Sequence, residues 1–177
     1  WFTLGGSCGT RPLPDSNFAV QPATGNISWR RDNDGSAGAW SNVNSGTYAP
    51  SGVTGVTSDR SARFHSAQVA GGVAGTMDVL LDCSGTTGTK DLSFAHINIS
   101  GNDSLQVLYS DNGGCSFTYL TTYFLAANWT FHTVPVPSNG ANTIIRFKAF
   151  GDFTASDIGI DSVRIVPPCA GQPNAGV

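Results

Sequence analysis

Twelve aspartates, three histidines, four cysteines and no glutamate are the side chains from which this chain of 177 residues could build a reactive site. A glycosidase needs two carboxyl groups flanking a cleft, and here both would have to be aspartates. No spacing in the sequence picks out such a pair. His-Glu-x-x-His is absent, and so is any histidine pair at helical spacing, so a catalytic zinc site would have to be assembled in space from separate strands. In "DLSFAHIN", His96 shares a strand face with Leu92 and Phe94, the setting of a core-edge imidazole. The Gly-x-Ser-x-Gly elbow, the P-loop and Gly-x-Gly-x-x-Gly are missing as well. These residues predict a protein that is not an enzyme.

Two stretches present carboxylates to a cation. "RRDNDGSAG" places Asp32 and Asp34 before Gly35, but an EF-hand needs its glycine at the sixth place and a glutamate at the twelfth, so the stretch reads as an Asx/Gly turn. "DIGIDSVRIV" (157–166), read with a two-residue period, puts Asp157, Gly159, Asp161, Val163 and Ile165 on one face. A carboxylate beside two β-branched hydrophobes costs free energy unless it is hydrogen-bonded, paired, coordinated or close to water. The expectation for Asp161 is hydrogen bonding near the end of the sheet, with a calcium ion at Asp161 as the alternative.

Aromatic residues offer a different chemistry, that of contact. "FTYLTTYF" places Phe117, Tyr119, Thr121 and Tyr123 on one strand face, and Trp40 lies inside the long Gly/Ser-rich segment 32–60. Such rings stack on sugars or anchor a protein partner, because tyrosine joins an apolar face to a polar tip. The competing reading is that the row covers the edge of the core. "SDNGGCSF" has the Ser-x-Asp-x-Gly-x-x-aromatic spacing of an Asp-box, with Asn112 in the Asp slot, and predicts a turn between strands. Asn26, Asn98, Asn102 and Asn128 lie in glycosylation sequons.

The elements that must carry these residues are strands. Gly, Ser, Thr and Asn fill over a third of the chain, while the basic residues are seven arginines and only two lysines, a composition that disfavours helices. Strand candidates recur near 17–20, 26–31, 61–66, 76–82, 91–98, 104–110, 117–124, 129–136, 142–150 and 157–166. "SLQVLYSD" alternates Leu105, Val107 and Tyr109 with polar residues, and "NTIIRFKAFG" alternates Ile145, Phe147 and Ala149 with Arg146 and Lys148. The predicted fold is all-β, a two-sheet antiparallel β-sandwich of jelly-roll type with about ten strands and essentially no helix. Residues 1–16 are expected to be a lead-in, 17–169 the domain, and 170–177 a linker, the whole being a piece of a longer protein.

A net charge of −3 with no basic run beyond "WRRD" argues against nucleic acid as a partner, and no apolar run is long enough to span a bilayer as a helix. Four cysteines without Cys-x-x-Cys predict two disulfides and an oxidising compartment.

Several motifs then line up in order with one family. "NISW" followed by "GAW", "TMDVLLDCSG", "DLSFAHINISGNDSLQVLYSDNGG" and "TIIRFKAFGDFTASDIGIDSVRI" together resemble MAM-like jelly-roll domains, of the kind found in secreted surface proteins and peptidases of Bacteroidetes-type bacteria. The resemblance covers about residues 17–169 and is most specific at its end. It implies an extracellular or cell-surface adhesion module with a protein or glycan surface as partner and no obligatory cofactor. Departures fall where relatives carry acidic residues: Ala19 follows Phe18, and Ser162 follows Asp161. The resemblance also implies Cys83 joined to Cys115 and Cys8 joined to Cys169. The functional expectation is a non-catalytic interaction module. The alternatives are a carbohydrate-binding module and a self-associating subunit of a surface fibre.

Overall fold

A computed structural model describes residues 29–32, 40–43, 45–50, 53–54, 60–68, 71–72, 74–100, 102–152 and 156–166. The expected lead-in, the strand near 17–20, Cys8, Cys169, Asn26, Asp34 and the linker 170–177 lie outside these residues. Among the described residues ten strands run in the order β1 (Trp29–Asp32), β2 (Trp40–Val43), β3 (Ser61–Phe64), β4 (Ala74–Leu81), β5 (Lys90–Asn98), β6 (Ser104–Ser110), β7 (Thr118–Tyr123), β8 (Ala126–Val136), β9 (Thr143–Phe150) and β10 (Ile158–Val166). The only helical element among the described residues is a 3-10 turn at Ser66–Gln68. The strands form two five-stranded sheets, ordered β1-β4-β9-β6-β7 and β2-β3-β10-β5-β8. Every strand pairing is antiparallel, as the all-β sandwich expectation requires.

The alternating strands build the core. Met77, Val79 and Leu81 of β4, Ile145, Phe147 and Ala149 of β9, and Leu105 and Val107 of β6 face Leu92 and Phe94 of β5 and Ile158, Ile160, Val163 and Ile165 of β10. Phe94 meets Phe147 edge-on across the sandwich at 5.1 Å between ring centroids, the geometry that aromatic pairs prefer.

Strand β2 corrects one expectation. It arises inside the segment 32–60, and it carries Trp40 into the core, fully buried against Phe64 at 5.6 Å between centroids. Trp40 is therefore a packing residue and not a surface contact. Gly75 on β4 makes this possible, because a Cβ there would lie 2.6 Å from Phe64 Cε2 and 3.1 Å from Trp40 Cδ1. Replacing Gly75 by valine is expected to cost about 1–3 kcal/mol through overpacking, measured by urea denaturation. A variant as stable as the wild type would show that the two aromatics are not pressed on β4.

Strand β10 corrects another. Ser162 has φ of 53°, and the β10–β5 register shifts between Asp161 and Arg164, a β-bulge. One extra residue reverses the alternation, so Ile158, Ile160, Val163 and Ile165 all face the core. Asp161 lies opposite Ala95, on the face with Gly159 and away from Val163 and Ile165.

Candidate functional site

The predicted aromatic row is divided by a second bulge. In the β6–β7 pairing Thr121 lies opposite Val107 and Tyr119 opposite Leu108, which leaves Leu120 as the extra residue. Leu120 and Tyr123 both turn into the sandwich and pack on the core, whereas Tyr119 stays outside, 55% exposed. Phe117, Tyr119 and Tyr123 therefore do not share one face. The Phe117 ring is half-buried beneath the Arg146 guanidinium, 3.8 Å from its centroid. Arg146 Nε and Nη2 donate to the two carboxylate oxygens of Asp78 at 2.7 and 2.8 Å, so this cation is already engaged within the sheet. Tyr119 keeps a free ring face, with its hydroxyl 3.0 Å from that of Thr122.

The link between β7 and β8 adds further exposed apolar side chains at this edge. Phe124 and Leu125 are 60% and 63% exposed, and Phe131 on β8 is 49% exposed. The Asn98 amide donates to the carbonyls of Asp103 at 3.0 Å and Phe124 at 3.3 Å, which fixes the link beside Ile99, itself an exposed hydrophobe. No charged residue occurs anywhere from 112 to 145, a run that contains the whole of β7 and β8, an edge strand of each sheet. Edge strands usually carry charges that repel other molecules, and this pair presents aromatic and aliphatic side chains instead.

Between the sheets, inside this edge, lies a ring cluster. Tyr123 packs on His132 at 3.9 Å, Phe94 on Tyr123 at 5.6 Å and on His132 at 5.4 Å, with His96 5.6 Å from His132. Burial, and then the neighbouring His132, pushes the His96 imidazole down to about 3, and burial also lowers His132. Both rings are neutral at ordinary pH.

The carboxylates build supports. Asp103 accepts from Ser66 Oγ at 2.5 Å, Asp152 N at 2.8 Å and Ser156 Oγ at 3.2 Å, tying three loops together. Burial raises it to about 6, against the Ser66 hydrogen bond. Asp157 pairs with Arg63, whose guanidinium lies 4.8 Å from the Tyr48 ring centroid, and the Tyr48 hydroxyl accepts from Asp157 N at 2.7 Å. Tyr48 thereby anchors part of the 32–60 segment to the sandwich. Asp161 accepts one hydrogen bond, from Ser162 N, and its Oδ2 is buried without a partner, so only half of the expected satisfaction is present. Among the described residues no three His, Cys, Asp or Glu side chains are grouped to hold a metal ion.

The Asp-box spacing forms a turn, as expected: Ser110 Oγ accepts from Gly114 N at 2.9 Å and donates to Asn112 Oδ1 at 2.8 Å. Cys83 is buried, Cys115 is exposed, and neither is a free thiol. Asn98 is fully buried and both of its amide hydrogen bonds are internal, so the folded domain hides that sequon, whereas Asn128 is exposed. The sequence reading missed Ile99, Phe124, Leu125 and Phe131. The signal that could have found them is the long absence of charge around a Phe-Leu pair in a turn.

No family model matches the chain, and no curated protein matches it. Solved structures do. A cleaved adhesin domain of Lys-gingipain from Porphyromonas gingivalis is similar at 19% identity, over 92% of this chain and 98% of that one, with a TM-score of 0.62. Another cleaved adhesin domain of the same protein is 19% identical over 82% of this chain and 92% of that one, with a TM-score of 0.58. A carbohydrate-binding module in complex with β-1,4-galactotriose is 14% identical over 77% of this chain and 86% of that one, with a TM-score of 0.51. At such identities the likeness is one of fold. Among the described residues, no helix is long and apolar enough to cross a membrane.

Proposed function

We propose that this chain is a non-catalytic adhesion or interaction module of a secreted or cell-surface protein, and that it binds its partner through the β7–β8 edge. The observation that carries this reading is the uncharged β7–β8 edge, which exposes Tyr119, Phe124, Leu125 and Phe131, with Ile99 beside the link that joins the two strands. Removing such rings from water drives association, and the lack of charge leaves no desolvation penalty for ions. The adhesin domains of similar fold support the reading, and the motifs in common with MAM-like domains carry the proposal of kinship. The open Tyr119 ring, with its hydroxyl held by Thr122, favours glycan as a second class of partner.

The double variant Phe124→Ser/Leu125→Ser tests the site. Both side chains are exposed, so stability should stay within about 0.5 kcal/mol of wild type. Binding to a panel of immobilised β-1,4-galactan, xylan and extracellular-matrix proteins should fall at least tenfold, read by interferometry. Equal binding by the variant and the wild type would place the contact on another face. Binding to protein but not to polysaccharide would remove the glycan reading and keep the adhesion one.

A further inference from the structure

Lys90 opens β5 with its side chain fully buried, a position that lysine occupies almost only when paired with an opposite charge. Here its ammonium donates to two neutral acceptors, the Gly88 carbonyl at 2.9 Å and the Asn139 carboxamide Oδ1 at 2.6 Å. Among the described residues no carboxylate forms an ion pair with it. Asp111, which lies beside the same loop as Asn139, takes the hydroxyl of Ser138 instead. A buried cation served only by dipoles keeps much of its desolvation cost. A carboxylate in place of the Asn139 carboxamide would supply the missing charge through a charge-assisted hydrogen bond.

We infer that Asn139 is a self-modification site, at which the carboxamide converts to a carboxylate that pairs with the buried Lys90. Asn139 is followed by Gly140, and the chain has a single other Asn-Gly pair, Asn112–Gly113. Gly140 N attacks Asn139 Cγ and closes a succinimide ring; the Cγ–Nδ2 bond breaks, and ammonia leaves with the proton that Gly140 N gives up. Water then opens the ring at either carbonyl, to aspartate or isoaspartate, both of which carry the new negative charge. Water is consumed, ammonia is released, and no oxidant is needed. Lys90 Nζ sits on the oxygen where negative charge develops as Gly140 N adds, the placement of an oxyanion donor. Among the described residues the Gly140 N–H meets only Ser138 Oγ, at a long 3.4 Å, so little has to be broken to free it. The Gly140 carbonyl is meanwhile held by Cys83 N at 2.9 Å and Thr143 Oγ1 at 2.8 Å. Glycine has no side chain to obstruct the approach, and the exposure of Asn139 admits water and releases ammonia. Asn112 has the same neighbour and the opposite setting. Its Oδ1 accepts from Ser110 Oγ at 2.8 Å and Ser116 N at 3.1 Å, its Nδ2 donates to Ser116 Oγ at 2.9 Å, and Gly113 N is committed to the Asn142 carbonyl at 2.9 Å. The Asp-box turn thus protects Asn112, and the reaction selects the loop between β8 and β9, which its product ties to the start of β5.

The test follows the full chain at mildly alkaline pH and body temperature by intact mass and peptide mapping, beside the same chain in concentrated urea. The unfolded chain supplies the rate set by the Asn-Gly sequence alone. In the folded chain residue 139 should gain about 1 Da at no less than that rate, whereas residue 112 should react at least tenfold more slowly than it does unfolded. Asn139→Gln should keep its mass, because the longer side chain closes the ring far more slowly. Asn139→Asp, which installs the carboxylate from the start, should have a higher urea midpoint than freshly purified wild type. In a Lys90→Met background, read only beside a melting curve that shows it folded, the same substitution should bring no gain. Reaction at 139 slower folded than in urea, reaction at 112 as fast folded as unfolded, or an Asn139→Asp midpoint no higher than wild type would each overturn the assignment. Loss of ammonia without uptake of water, with Lys90 and residue 139 joined by an amide, would do the same.

Discussion

Replacing Phe94 by alanine is expected to destabilise the domain by about 3–5 kcal/mol. Phe94 is fully buried and is a principal contact between the sheets, meeting Phe147 of β9 edge-on at 5.1 Å. The same ring also supports Tyr123 of β7 and His132 of β8, so its loss removes packing from both edge strands at once. The remaining side chains lie on strands held in two sheets and cannot collapse far into the cavity, which puts the cost at the upper end for a large-to-small change. Urea denaturation would read it as a lower midpoint at nearly constant slope. A loss below about 1 kcal/mol would contradict the packing described for the centre of the sandwich.

The second large effect is a pH-dependent gain in Asp161→Asn. Burial raises the Asp161 carboxyl from 3.8 to about 7, against the opposing hydrogen bond from Ser162 N. Between those values the folded chain keeps a proton that the unfolded chain has released. The folded state then binds more protons, so its stability falls as pH rises through this window and levels off above about 7. Asparagine does not titrate. The stability of Asp161→Asn relative to wild type should therefore rise by about 2–3 kcal/mol from pH 5 to pH 8. His96 and His132 lose stability on acidification, because burial keeps them neutral in the fold while the unfolded rings protonate below about 6.5. Their contribution is common to both chains and cancels in the difference. If a calcium ion or another cation held Asp161 ionised, the variant would instead lose ground as pH rises, and the cation alternative would return.

The sandwich was legible wherever one strand face is buried without interruption. Leu105, Val107, Ile145, Phe147 and Ala149 alternate with polar residues because β6 and β9 run straight through their ladders, and the structure turns these residues inward. The site was legible only in part, because its residues lie at bulges. An extra residue at Leu120 separates Tyr119 from Tyr123, and the left-handed Ser162 turns Asp161 away from Val163, and neither break changes the local composition. Strand β2 is not legible because four residues among glycines and serines show no period, so Trp40 has the sequence setting of a surface ring although it packs in the core. Phe124 and Leu125 carry no periodic signal at all, since they belong to a link that exposes them. What marks them is the missing charge on both flanking strands.

The most direct measurement of the β7–β8 edge as the contact surface is amide hydrogen exchange of the full chain, free and bound to the panel member it retains. Residues 118–131 are predicted to exchange more slowly in the bound state, with β1 and β4 unchanged. Protection confined to other strands, or no retention by any of the galactan, xylan and matrix proteins, would contradict the account.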